Sequence, residues 1–276
     1  MTGRMLIALE TILTRERPDM VLVYGDTNST LAGALCAAKL SVPVAHVESG
    51  LRSYNRQMPE EVNRILTDHL STRLYTPTDI ATRNLHKEGI AGEKILQTGD
   101  VMFDVALRFS KIATAPSENL QKLALEDKRY ALVTVHRAEN TDDAGNLRAI
   151  FAQLGLVAQK LSVVLPLHPR TQQRIRDLNI NIPGGIMITD PVPYLEMITL
   201  EKNATVIATD SGGIQKEAFF FGVPCVTLRH ETEWTELVES GWNRLAPPAE
   251  GLIAEKLLEA CSVKGASIDA FGDGNA

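Results

Sequence analysis

The sequence predicts an α/β protein made of two doubly wound, Rossmann-like domains, the N-terminal one incomplete. Three observations carry that expectation. Apolar runs of strand length alternate with helical patterns along most of the chain. Several of those runs, such as Met20-Val21-Leu22-Val23-Tyr24 and Tyr130 to Val135, are apolar without alternation, as in strands covered on both faces of a parallel sheet. The alternation lapses once, over a polar stretch from Lys111 to Arg129. The expected organisation is therefore a first domain over residues 1–111, a connecting segment with a partial helix over 112–129, and a second domain over 130–276, with a ligand cleft between the domains.

In the first domain the strands are expected at Met20–Tyr24, Val42–Val47, Arg73–Thr76 and Ile95–Thr98. The helices are expected at Ser29–Leu40, Glu60–Ser71, Asp79–Glu88 and Val101–Ser110. Gly3 to Arg15 opens the chain as a helix with no strand before it. Doubly wound sheets carry their early strands centrally, so this sheet should expose an edge. The second series has strands at Tyr130–Val135, Ser162–Leu167, Ile186–Thr189, Thr205–Ala208 and Pro224–Leu228. Its clearest helices are Gly145–Leu161 and Ile214–Phe221.

Composition narrows the function. The 276 residues are 44% hydrophobic and 22% charged, an ordinary globular balance. A net charge of −6 and only 5% aromatic residues argue against a nucleic-acid footprint or a base-stacking surface. No apolar run approaches the roughly 18–20 residues of a membrane span. The charged N-terminus is unlike a signal peptide. Cys36, Cys225 and Cys261 have no zinc or C-x-x-C spacing, so a reduced cytoplasmic setting and no metal site are expected.

Chemistry concentrates where strands end. Gly25-Asp26-Thr27-Asn28-Ser29-Thr30 joins a strand to a helix, and Asp26 there is either a helix N-cap or a carboxylate presented to ligand. In His46-Val47-Glu48-Ser49-Gly50-Leu51-Arg52, Glu48 either faces the ligand or pairs with Arg52 to fix the loop. Met58-Pro59-Glu60-Glu61 is a good helix start that brings another carboxylate, Glu60. Three carboxylates at one end of a sheet repel, which separates acid from base roles. In Thr134-Val135-His136-Arg137-Ala138-Glu139, His136 fits phosphate contact or proton transfer, and Arg137 fits a phosphate clamp or a pair with Glu139. Thr209-Asp210-Ser211-Gly212-Gly213-Ile214-Gln215-Lys216-Glu217 is the most specific segment. Its small residues and helix start suit a diphosphate, and Glu217 suits a ribose diol. Leu228-Arg229-His230-Glu231-Thr232-Glu233-Trp234 adds Arg229 as a further nucleotide contact, and His168-Pro169-Arg170 is a weaker strand-end segment of the same kind.

Taken in order, the runs GDTNSTLAGAL, HVESGLRS, MPEEVNRILTDHLS, LVTVHRAEN, TDSGGIQKEA and LRHETEW resemble the non-hydrolysing UDP-N-acetylglucosamine 2-epimerase family, from about residue 3 to the Gly-Asp-Gly ending at Gly274. The resemblance implies a glycosyltransferase-B-like fold and interconversion of UDP-GlcNAc and UDP-ManNAc without NAD, a step serving polysaccharide biosynthesis. It implies catalytic roles for Asp26, Glu48, Glu60 and His136, pyrophosphate contact by Ser211 and ribose contact by Glu217. Arg137, Gly212, Gly213 and Arg229 belong to the same motifs on the UDP side. Intact relatives are usually homodimers, so the resemblance implies a homodimer. His230 stands where many relatives have Asp. The family's opening βα unit with its G-T-R-P-E-type loop has no match here, so the chain reads as a fragment that begins inside the first domain and stops short of the last helix. Loss of that loop's cations would cost roughly 100–1000-fold in rate, and low stability and activity of this chain alone are expected.

The implied chemistry is elimination of UDP to a 2-acetamidoglucal followed by re-addition, because the C2 proton becomes removable only as C1 gains oxocarbenium character. Other readings within reach are an epimerase of a modified UDP-sugar, a glycosyltransferase of the same fold, and a nucleotide-sugar binder without activity.

Overall fold

The computed structural model describes residues 1–113, 125 and 129–276. The chain forms two compact units, Met1–Asp104 with Asp269–Ala276, and Val105–Ile268. The expected connecting segment over 112–129 lies, apart from residues 112, 113, 125 and 129, outside the described residues. The last eight residues, which the sequence reading kept with the second domain, group with the first unit. There Asp100 N–H donates to the Phe271 carbonyl (3.0 Å), and Ala276 N–H donates to Asp104 (2.9 Å).

The first unit runs α1 (Thr2–Glu16), β1 (Val21–Tyr24), α2 (Asn28–Lys39), β2 (Val44–Val47), α3 (Pro59–Leu70), β3 (Arg73–Thr76), α4 (Asp79–Lys87) and β4 (Ile95–Gln97). The four strands are parallel and lie in sequence order, β1-β2-β3-β4. Parallel neighbours require a crossover, and each helix between two strands supplies one. Helix α2 buries only small side chains and a threonine: Thr30, Ala32, Gly33, Ala34, Cys36 and Ala37. It therefore lies close on the sheet, where Ala34 and Ala37 pack with Val23 and Val44. The exposed edge expected of this sheet is β1, on which Leu22 is 48% and Tyr24 60% exposed. Helix α5 (Val101–Ile112) contains the boundary between the units.

The second unit runs β5 (Tyr130–Thr134), α6 (Ala138–Thr141), α7 (Ala144–Ala158), β6 (Ser162–Pro166), α8 (Pro169–Asp177), β7 (Ile186–Thr189), α9 (Tyr194–Asn203), β8 (Val206–Thr209), α10 (Gly212–Phe220), β9 (Cys225–Thr227), α11 (Thr235–Glu239), β10 (Asn243–Leu245) and α12 (Ile253–Ala260). Its six parallel strands are ordered β10-β9-β8-β5-β6-β7. Strand order reverses between β5 and β8, the doubly wound arrangement. The tenth strand has no signature in the sequence, because it is three residues long and two of them are Asn243 and Arg244. Alternate residues of β5 serve opposite cores. Ala131 and Val133 pack with α7 and α12, while Tyr130 and Leu132 pack with Leu200, Ile207 and Ala218. Each large apolar side chain so buried contributes about 1.5–3 kcal/mol.

Two sites in this architecture give stability predictions. Gly50 has φ +82°, and a Cβ there would overlap the Ala81 carbonyl. Gly50→Ala is expected to destabilise the protein by roughly 2–4 kcal/mol, read as a lower denaturation midpoint. Glu201 on α9 is wholly buried, with no hydrogen bond to either carboxyl oxygen. Burial, then the charge of Glu217, pushes its carboxyl well above the ordinary range. The folded state thus keeps a proton that the unfolded chain releases, so stability falls as pH rises above the unfolded Glu value of about 4.3. Glu201→Met should raise stability by roughly 1–3 kcal/mol near neutral pH and flatten that decline.

Candidate active site

In the first unit the site is organised by the polar face of α3. Pro59 begins the helix and Glu60 and Glu61 occupy its first turn, favoured by fixed φ and the helix dipole. Glu61, Arg64 and Asp68 then recur at helical spacing and are all buried, with Asn63 beside them. Arg64 donates through Nε (3.0 Å) and Nη2 (2.7 Å) to Asp26 Oδ2, and Asn63 Nδ2 donates to the Asp26 carbonyl (2.8 Å). Asp26 is therefore not the helix N-cap. That position belongs to Thr27, whose hydroxyl accepts from Thr30 N–H.

Glu48 follows β2 as Gly25 and Asp26 follow β1, so both carboxylates leave the same ends of adjacent strands. Glu48 has φ +68°, a left-handed conformation that costs a non-glycine residue about 1–2 kcal/mol. Its Oε2 lies 3.3 Å from where a Cβ on Gly25 would stand. Arg52 does not pair with Glu48. It donates to Asp68 Oδ2 through Nη1 (2.7 Å) and to Glu88 through Nε and Nη2 (2.7 Å each). Asp68 also accepts from Gly50 N–H (3.1 Å) and contacts His46 Nδ1 (2.7 Å). Glu60 is half-buried, while its neighbour Glu61 is buried and accepts from Ser53 N–H, Ser53 Oγ, Tyr54 N–H and Arg64. Of the two acids, Glu61 holds the loop and Glu60 is the more accessible.

In the second unit the site stands at the strand-order reversal, where β5 and β8 end side by side. Thr134 and Thr209 bridge the two strands through their hydroxyls (2.6 Å). Asp210, wholly buried, accepts from the backbone N–H groups of His136 (3.1 Å) and Arg137 (3.0 Å) and from Asn140 Nδ2 (3.0 Å). His136 Nδ1 lies 3.1 Å from Asp210 Oδ1. Burial pushes the Asp210 carboxyl up, but the hydrogen bonds and charge of His136, with Asn140 and Arg137 N–H, outweigh it and hold the group below its ordinary range. With Nδ1 committed to Asp210, Nε2 is the ring nitrogen left to a ligand, and the His136 side chain is 43% exposed.

Ser211 Oγ accepts from Ile214 N–H and caps α10. A Cβ on Gly212 would stand 3.5 Å from Trp234 Nε1 and 3.9 Å from both Arg137 Nη2 and Glu233 Oε2, so glycine keeps the space among them open. Gly213 is half-buried in the first turn of the same helix. Glu217 is buried and accepts from the Tyr194 hydroxyl (2.7 Å). Arg137 reaches Glu233 at 4.0 Å. Arg229, read from the sequence as a UDP contact, is only 1% exposed and grips Glu233 through Nη1 (3.0 Å) and Nη2 (3.3 Å). Its guanidinium is thus engaged by Glu233, and its Nε lies 3.6 Å from Glu139 Oε1. His168 caps α8 by accepting from Arg170 N–H, a structural use.

Sequence reasoning missed Arg64, Asn63 and Asp68, although the spacing of Glu61, Arg64 and Asp68 along one predicted helix was a usable signal. Asp210 lay inside the most specific motif and was passed over. Tyr194 had no local signal, because it lies 23 residues from Glu217 in the chain. Among the described residues no group of His, Cys, Asp or Glu is arranged to hold a metal ion, and no helix is long and apolar enough to cross a membrane.

The family model for UDP-N-acetylglucosamine 2-epimerase matches residues 1–276. The UDP-2,3-diacetamido-2,3-dideoxy-D-glucuronate 2-epimerase of Pseudomonas aeruginosa is 52% identical over 258 residues, covering 92% of this chain and 71% of that protein. The UDP-N-acetylglucosamine 2-epimerase of Methanocaldococcus jannaschii is 45% identical over 271 residues, covering 95% of this chain and 73% of that protein. The crystal structure of a Methanocaldococcus jannaschii UDP-GlcNAc 2-epimerase in complex with UDP-GlcNAc and UDP aligns with a TM-score of 0.92 at 43% identity, over 99% of this chain and 77% of that one. With matches of this extent, the chain belongs to the UDP-N-acetylglucosamine 2-epimerase family, isomerases with a glycosyltransferase-B-like α/β fold.

Proposed function

We propose that this chain inverts C2 of a UDP-linked 2-acetamido sugar, with UDP-GlcNAc and UDP-ManNAc as the interconverted pair. The observation that supports this most is the placement of Asp26 and Glu48 at neighbouring strand ends, with Glu60 opening the helix whose Arg64 grips Asp26. A carboxylate removes the C2 proton as the C1–O bond breaks. The C2–H electron pair becomes the C1=C2 bond and UDP leaves with the C1–O pair. A carboxyl then returns a proton to the opposite face of C2, and a diphosphate oxygen re-adds at C1. Asp26, Glu48 and Glu60 supply these groups. The second unit's task is to retain detached UDP, with the capped start of α10 at Ser211–Gly213 and Arg137 on the diphosphate and Glu217 on the ribose. His136, oriented by Asp210, meets the leaving diphosphate through Nε2.

The 52% identity to the Pseudomonas aeruginosa enzyme, against 45% to the Methanocaldococcus jannaschii one, favours a second substrate, the UDP-2,3-diacetamido-glucuronate. The ratio of kcat/KM for the two UDP-sugars separates the readings, and a preference of more than tenfold decides between them.

Incubation with UDP-GlcNAc in D2O should place deuterium at C2 and yield UDP-ManNAc, followed by proton NMR. Asp26→Asn, Glu48→Gln and Glu60→Gln should each slow that exchange by about 100–10,000-fold while leaving UDP binding intact. Normal exchange in all three would remove the carboxylates from the mechanism. Asp210→Asn should lower kcat by about 100-fold or more, as His136 loses its anchor. The depressed carboxyl of Asp210 stabilises the fold above its unfolded value of about 3.9, and that stabilisation is lost as pH falls through the folded value. The acid limb of a stability–pH curve should therefore be shallower in Asp210→Asn than in the parent chain.

A further inference from the structure

His46 lies on β2, two residues before Glu48, and is wholly buried. Its Nδ1 is 2.7 Å from Asp68 Oδ1 and its Nε2 is 2.8 Å from the Gly25 carbonyl oxygen. Carboxylate and carbonyl oxygens only accept hydrogen bonds, whereas a neutral imidazole has one N–H and one bare nitrogen. Either neutral tautomer would therefore set a lone pair against a lone pair at one of these contacts. Moving a proton to Asp68 does not remove the conflict cheaply. Asp68 Oδ2 already accepts from Arg52 Nη1 (2.7 Å) and Gly50 N–H (3.1 Å), the pattern of an ionised carboxylate.

We infer that His46 is a resident imidazolium, protonated on both ring nitrogens, and that it is the positioning residue joining the Asp26 and Glu48 loops. One N–H is held by Asp68 of α3. The other holds the carbonyl of Gly25, the residue before Asp26 and the one over which Glu48 Oε2 lies. Through Asp68 the same cation is tied to Gly50 N–H, on the far side of Glu48. The ring thus ties together the two loops that carry Asp26 and Glu48. Its charged surroundings are Asp68, then Arg52, then Glu88. This role rests on the reading that Asp26 and Glu48 act on substrate.

The test has two arms on the full chain. In the first, 15N and proton NMR of the histidine rings, with His46 assigned through contacts along β2, should show both nitrogens protonated near neutral pH. One bare nitrogen would overturn the inference. In the second, His46→Gln retains an amide near the Nε2 position and His46→Asn one near Nδ1. His46→Asn should lower kcat for C2 exchange by about 100-fold, His46→Gln by at most about 10-fold, and KM should change little in either. Equal kcat in His46→Asn and the parent, or a loss confined to KM, would overturn the positioning role. If the parent chain exchanged no C2 proton in any UDP-sugar, the reaction reading would fail, while the ring spectrum would still decide the state of His46.

Discussion

A charged side chain leaves water only when its partners are already in place, and the first unit is built around that constraint. Helix α3 turns Glu61, Arg64 and Asp68 inward. Each would be costly alone, since breaking one buried pair typically loses about 3–5 kcal/mol. The partners come from every neighbouring segment. The loop after β1 sends Asp26, and the loop after β2 sends Ser53, Tyr54, Gly50 and Arg52, the last braced in turn by Glu88 at the end of α4. Satisfying α3 therefore assembles these loops in one arrangement, and Asp26, one of the carboxylates proposed for catalysis, is among the groups it holds. Glu48 keeps its left-handed backbone within this frame, local strain of the kind that persists where the surroundings over-determine a residue.

The second unit solves a different problem with the same economy. Its sheet is covered on both faces by separate apolar cores, which frees its strand ends to carry polar groups. At the reversal of strand order, Asp210 gathers two backbone N–H groups, Asn140 and His136. Here too a buried carboxylate organises a loop, and the histidine it fixes is the exposed member. Arg229 and Glu233 repeat the pattern under the start of α10, where glycine leaves open the space bordered by Arg137 and Trp234. In both units the more exposed group is backed by a buried partner of opposite charge or complementary hydrogen bonding, an arrangement that fixes side-chain geometry in advance of any ligand.

Much of this was legible in the residues. Non-alternating apolar runs separated by helical patterns determine parallel strands with crossovers, since only a two-sided core accepts such strands, and nine of the ten strands among the described residues were placed to within two residues at either end. The motifs at strand ends were likewise local, because in a parallel sheet ligand groups cluster where strands stop. What the tertiary structure alone decided is which polar residue spends itself on structure and which stays available. Glu60 and Glu61 are adjacent and chemically alike, yet one is engaged by four donors and the other is half-buried. Arg229 and Arg137 both follow strands, yet the first is sealed in and the second reaches the surface. Asp26 took as its partner Arg64, 38 residues away in the chain. Such choices depend on distances between segments remote in the chain, and a linear pattern reports only the residue types and their local period.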